Sequence, residues 1–205
     1  MKSTVLRADS NNSISHAVDV LHQGGVVAFP TDTVYGLGAL AFMPESIERL
    51  FAIKGRAHTK AIAVLIADAG ELEKIAAQPD PAVDRLAERF CPGPLTMVIQ
   101  RHPSLPDSFS SGPTIGVRVP AHPVALDLLR AAGPMGVTSA NLSGESNAST
   151  AEEVLAQLDG RTHLVLDGGQ APGGVPSTVI DLTSHEPKIL REGPVTREEI
   201  LATLD

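Results

Sequence analysis

Residues 24–39 read GGVVAFPTDTVYGLGA. Val26 to Phe29 form a short apolar run bounded by Gly24-Gly25 and Pro30, which reads as a buried strand. Thr31, Asp32, Thr33 and Tyr35 follow at once, then Gly36 and Gly38. Hydroxyls and a carboxylate at the C-terminal edge of a strand suit a small-ligand site. The same residues also make an ordinary strand-to-loop exit.

On the N-terminal side, Ile14, Ala17, Val18 and Leu21 recur at helical spacing, with Asn12 or Ser13 as N-cap and Gly24 as terminator. On the C-terminal side, Pro44-Glu45 opens a helix, since proline is tolerated at the first helical position. The run IAVLIA at 62–67 reads as a strand buried on both faces. Helical patterns follow at 71–77 and 81–90, and the Cys91-Pro92-Gly93-Pro94 break stops them. Strands are expected at 95–100, 115–119, 135–138, 163–166, 177–182 and 187–190, and helices at 123–132, 150–158 and 196–204. The spacing Thr196 to Glu199 is that of a capping box. The glycine-rich span GGQAPGGVP at 168–176 reads as a mobile loop. Alternating helices and strands, then successive strands near the end, predict an α/β fold with an open, mixed, twisted sheet and flanking helices.

With 205 residues, one domain spanning 1–205 is expected. Apolar residues make up 42% of the chain, and no apolar run reaches the roughly 20 residues that span a bilayer. Cys91 is the single cysteine and the N-terminus has no apolar leader, which points to a reducing, cytoplasmic setting. The net charge of −8 opposes binding to a polyphosphate backbone, and 3% aromatic residues leave little for base stacking. Direct contact with nucleic acid is therefore expected to be weak or absent. Cations nevertheless gather at Lys54, Arg56 and Lys60, as if to hold a small anion, although basic residues also complement a helix C-terminus.

Ser139-Ala140-Asn141 follows a strand and can offer hydrogen bonds to phosphate or nucleoside; a turn would choose the same residues. Arg118 lies within the apolar strand IGVRVP, so it either meets a buried anion or turns to the other face of the sheet. A P-loop, a three-glycine dinucleotide fingerprint, a G-x-S-x-G elbow and zinc-type histidine spacing are all missing from the sequence. Cys91 has no cysteine partner and reads as a small buried hydrophobe.

PTDTVYGLGA, K-x-R at 54–56, CPGPLT at 91–96, VRVPAHP at 117–123, SANLSG at 139–144, STVID at 177–181 and LREG at 190–193 occur in order along nearly the whole chain. The ordered set resembles the YrdC/Sua5 family of threonylcarbamoyl-AMP synthases. The resemblance implies an open twisted sheet with a large concave cleft. It also implies conversion of L-threonine, bicarbonate and ATP to L-threonylcarbamoyladenylate and pyrophosphate. That product would feed a partner transferase complex making N6-threonylcarbamoyladenosine at position 37 of tRNA. By motif, Thr33, Arg118, Val137 and Ser177 would hold threonine. Arg56, Lys60, Thr114, Ser139, Asn141, Asn147 and Arg191 would hold ATP, with Lys54 and Arg56 closest to the chemistry and Mg²⁺ carried on the phosphates. Alanine at Arg56 or Arg118 is expected to leave the fold largely intact while costing about tenfold or more in adenylate formation. Two departures stand out: Ala57 where the family commonly has proline, and Leu65 near where it often has histidine. An RNA-binding module of the same fold, without nucleotide turnover, is the alternative.

Overall fold

A computed structural model describes residues 2–55, 62–77, 80–110, 112–184 and 186–204. Its strands are β1 (Thr4–Arg7), β2 (Val27–Phe29), β3 (Gly36–Leu40), β4 (Ala63–Leu65), β5 (Leu95–Gln100), β6 (Thr114–Arg118), β7 (Met135–Ser139), β8 (Leu164–Asp167), β9 (Thr178–Asp181) and β10 (Lys188–Arg191). The helices are α1 (Ser13–His22), α2 (Pro44–Lys54), α3 (Leu72–Ile75), α4 (Pro81–Phe90), α5 (Pro123–Ala132), α6 (Ala151–Leu158) and α7 (Arg197–Leu204). The strands form one open mixed sheet in the order β1-β8-β2-β3-β7-β4-β6-β5-β9-β10.

Local chemistry explains most boundaries. Proline starts α2, α4 and α5. Asp80 caps α4 by accepting from the Ala82 amide at 2.8 Å, and Thr150 caps α6 by accepting from Glu153. The expected capping box at α7 forms in both directions, Thr196 amide to Glu199 carboxylate and Glu199 amide to Thr196 hydroxyl.

Three elements differ from the sequence expectation. Gly36–Leu40 is a strand between β2 and β7, to which the sequence reading assigned no element. A Cβ on Gly38 would meet Met135 at 2.6 Å and Phe29 at 2.9 Å, so the glycines there permit close packing instead of a turn. The edge strand β1, pairing in parallel with β8, has too little apolar alternation to be read from sequence. The expected helix at 71–77 is only a 3-10 turn, Ala69–Glu71, and the four residues of α3, because Ala76 leaves to bridge Arg101.

Helices α1 and α5 pack on one face of the sheet, where Ala17, Leu21, Ala125 and Leu128 meet Val27, Phe29, Leu164 and Leu166. The other face carries α2, α4, α6 and α7 over Val64, Met97, Val117 and Ile180. The α1–α5 layer reaches Leu65 and Val137 and goes no further, so among the described residues the same face of β6, β5 and β9 has no helix above it. Among the described residues no helix is long and apolar enough to cross a membrane.

Candidate functional site

The uncovered sheet face is the floor of a cavity of about 370 Å³. Period-two alternation decides what lines it. Ile115 and Val117 of β6 point into the core while Gly116 and Arg118 point into the cavity; on β5, Met97 and Ile99 point in while Thr96 and Val98 point out. Arg118 thus takes the non-core face, but that face is a concave wall and leaves the residue only 6% exposed.

The PTDT segment closes one side. Arg118 donates from Nη1 to the Thr33 hydroxyl at 3.0 Å, from Nε to the Gly93 carbonyl at 3.0 Å, and from Nη2 to the Asp32 carboxylate. Two of its five N–H groups are left over for a ligand. Burial pushes the Arg118 guanidinium below its ordinary range, and Asp32 opposes that shift. The positive charge of Arg191 lowers it further, so the two cations feel each other across the site. Arg191 in turn donates from Nε to the Ser177 carbonyl at 3.0 Å and from Nη2 to the Ser177 hydroxyl at 3.1 Å. An irregularity between Ile189 and Arg191 breaks the β9–β10 register, and both Leu190 and Arg191 line the cavity.

Opposite them lies the turn after β7. Lys54, 2% exposed at the end of α2, donates from Nζ to the Ser139 carbonyl and to Asn141 Oδ1 at 3.1 Å. The Ser139 hydroxyl also donates to Asn141 Oδ1, and Asn141 Nδ2 donates to the Leu142 and Glu145 carbonyls. This network shapes the Ser139–Asn141 turn from behind. Ser139 and Asn147 face the cavity, whereas Lys54 and Asn141 are buried beneath it.

The glycine-rich span is tied down at several points, contrary to the expected mobile loop. The Tyr35 hydroxyl donates to the Gly169 carbonyl at 2.7 Å and accepts from the Gly168 amide; the Ala171 amide donates to Ser149 O and the Gly174 amide to Thr33 O. A Cβ on Gly173 would lie 2.7 Å from the Asp32 carbonyl, so glycine lets the strap lie flat against the PTDT segment. Burial raises the Tyr35 phenol to about 12. Between pH 10 and about 12 the unfolded chain loses this proton while the folded chain keeps it, so stability falls as pH rises through that window. The loss is at most about 3 kcal/mol. Urea midpoints at pH 9.5 and 11.5 should therefore drop less in Tyr35→Phe than in the parent; equal drops would refute the assignment.

Of the residues singled out from sequence, Thr33, Arg118, Val137, Ser139, Asn147, Ser177 and Arg191 meet around this one cavity. Thr114, opposite Gln100 at the far end of β6, does not line it. Arg56 and Lys60 lie outside the described residues. Sequence reasoning passed over Thr96, Val98, Val179 and Leu190, which complete the floor and rim. Alternation from Arg118 and the CPGPLT segment held the signal for Thr96. Cys91 is half-buried against the core, and its thiol is pushed up by burial.

An open α/β sheet with guanidinium, hydroxyl and amide groups converging on its bare face defines a protein built to hold a small, oxygen-rich anion. The family model for the Sua5/YciO/YrdC domain, described as telomere recombination, matches residues 19–193, and the chain belongs to that family. It is 40% identical over 186 residues to a threonylcarbamoyl-AMP synthase of Pyrococcus abyssi, covering 90% of this chain and 55% of that one. A threonylcarbamoyl-AMP synthase of Bacillus subtilis is 40% identical over 197 residues, covering 93% and 56%. The crystal structure of P. abyssi Sua5 complexed with L-threonine superposes with a TM-score of 0.94 at 37% identity, over 100% of this chain and 61% of that one. The chain spans a little over half the length of these curated relatives.

Proposed function

We propose that the chain is an L-threonylcarbamoyladenylate synthase, a nucleotidyltransferase that joins L-threonine, bicarbonate and ATP and releases pyrophosphate. The observation that carries this reading is the meeting of seven dispersed residues, from Thr33 to Arg191, around one cavity. Family membership and the names of the relatives point the same way. In this reading Thr33, Arg118, Val137 and Ser177 hold threonine. Ser139, Asn147 and Arg191, with Arg56, Lys60 and Thr114, hold ATP. Lys54 and Asn141 act through the shape of the Ser139 turn.

Bicarbonate takes up a proton and loses water to give carbon dioxide; the threonine amine adds to it and releases a proton, balancing the one taken up, to give a carbamate. A carbamate oxygen then attacks the α-phosphorus of ATP, and the bond to the bridging oxygen breaks to expel pyrophosphate. The second step joins an oxyanion to an activated phosphate, so the chemistry asks for alignment and charge stabilisation more than for a covalent intermediate. The lining matches that demand, since it carries guanidinium, hydroxyl and amide groups and, among the described residues, no histidine, thiol or carboxylate. A cation–anion pair at 4 Å is worth about 4 kcal/mol at an effective dielectric of 20, against about 1 in water, which favours cations gathered in a cleft. With no lining carboxylate, the described residues offer no seat for Mg²⁺, which would enter on the triphosphate, and no step here depends on it.

The product is proposed to pass, in the cytoplasm, to a transferase complex that modifies adenosine 37 of tRNA. The isolated chain, with net charge −8, would itself bind tRNA weakly or not at all. The test is pyrophosphate release from ATP by the purified chain. Release that requires both threonine and bicarbonate, and falls when serine replaces threonine, is expected. ATP turnover indifferent to threonine would overturn the reading, and tight, salt-sensitive tRNA binding without turnover would favour an RNA-binding module.

A further inference from the structure

Thr96 is 7% exposed, lines the cavity floor, and has been given no part in the reaction so far. Its hydroxyl lies 2.8 Å from the hydroxyl of Ser177, which is 4% exposed and accepts a hydrogen bond from Arg191 Nη2. A count of hydrogens constrains what this group can do. Arginine only donates, so the Arg191 contact uses a lone pair on Ser177 and none of its hydrogens. The two hydroxyls have two hydrogens, and one is spent between them. Whichever donates, one O–H remains uncommitted among the described residues, and both residues line the cavity. The rotamer of Thr96 is set from below. A Cβ at Gly116 would come within 3.0 Å of the Thr96 γ-methyl, so the methyl fills the space that the missing side chain leaves. The methyl over Gly116 and the hydroxyl beside Ser177 together define one orientation.

We infer that Thr96 is a positioning residue: seated over Gly116, it holds Ser177 where Ser177 receives Arg191 and where the pair presents a single O–H to an oxygen of the substrate. The inference rests on the functional reading above. It joins the residue placed on threonine, Ser177, to the residue placed on ATP, Arg191, so that the amino acid and the nucleotide are aligned by one linked set of hydrogen bonds.

Two substitutions at this position separate the hydroxyl from the packing. Thr96→Val keeps the shape and both branches but removes the hydroxyl; Thr96→Ser keeps the hydroxyl and removes the methyl. A positioning role predicts that Thr96→Val lowers kcat/KM for threonine-dependent pyrophosphate release by about tenfold or more, the size of one buried hydrogen bond left unmade. Thr96→Ser should stay within about threefold of the parent, because the contact to Ser177 survives. A role in packing alone predicts the opposite order, with valine active and serine impaired, and that outcome would overturn the inference. Thermal midpoints of both variants, measured alongside, exclude loss of folded protein as the cause. A parent chain that releases no pyrophosphate with threonine and bicarbonate would overturn the functional reading and with it this role for Thr96. A parent that does so, with valine equally active, would overturn the inference alone.

Discussion

Replacing Arg118 with alanine is expected to destabilise the fold by about 3–5 kcal/mol, because it strands a buried carboxylate. Asp32 pairs with Arg118 with side chains 10% and 7% exposed, and its Oδ2 has no hydrogen-bond partner among the described residues. Once the guanidinium is gone, neither Thr33 nor the Gly93 carbonyl keeps its donor. The sequence alone suggested that this substitution would spare the fold and act on activity; the geometry makes it first a lesion of stability. Removing both charges should be milder than removing one, so Asp32→Ala combined with Arg118→Met should recover a large part of the loss. Urea unfolding of the parent, single and double variants measures this directly. A single variant within about 1 kcal/mol of the parent would show that the pair contributes no more than a surface ion pair.

The second large effect is expected at Gly193, in the LREG segment beyond β10. A Cβ there would lie 2.4 Å from the Thr178 amide nitrogen and 2.6 Å from the Pro176 carbonyl oxygen, both backbone atoms of the segment that runs through Ser177 into β9. Flexible side chains could yield at such distances, but two backbones must separate. Gly193→Ala should cost about 1–3 kcal/mol through overpacking alone. It should also draw Arg191 away from Ser177, which sits only two residues from the forced contact. Threonine-dependent pyrophosphate release should fall about 100-fold, in line with misplacement of a binding group by about 1 Å. Near-parental activity in this variant would mean that Arg191 does not need its tie to Ser177.

The helices were legible because their signals are local: proline at the first position of α2, α4 and α5, acidic and hydroxyl caps at Asp80, Thr150 and Thr196, apolar spacing in α1. Strand β3 was not, because Gly36 and Gly38 are dictated by Phe29, Met135 and Val137 on neighbouring strands, and composition alone makes glycine look like a loop. Arg118 was half legible. Alternation left open a buried anion or the other face of the sheet; both hold, because the end of the α1–α5 layer turns that other face into a cavity wall where Asp32 meets the guanidinium. Lys54 belongs to a motif that suggests a ligand, yet its ammonium meets carbonyl and amide oxygens 85 and 87 residues away, a contact no local pattern encodes. Thr96 carries no distinctive chemistry by itself and gains meaning only beside Ser177, 81 residues further on.

The coverage of the sheet by helices is uneven, and this bears on how the molecule opens. Strands β8, β2, β3 and β7 are sandwiched between two helical layers, whereas β6, β5 and β9 rest on one. Excursions from the native state that stop short of global unfolding concentrate where packing support is thin, which marks the singly supported half as the first to open. On the proposed function, a substrate seated on that floor would stand in for the missing layer. Amide protection in β5, β6 and β9 is then expected to rise when threonine and ATP are added, so that the ligands themselves complete the rigidity of this part of the sheet.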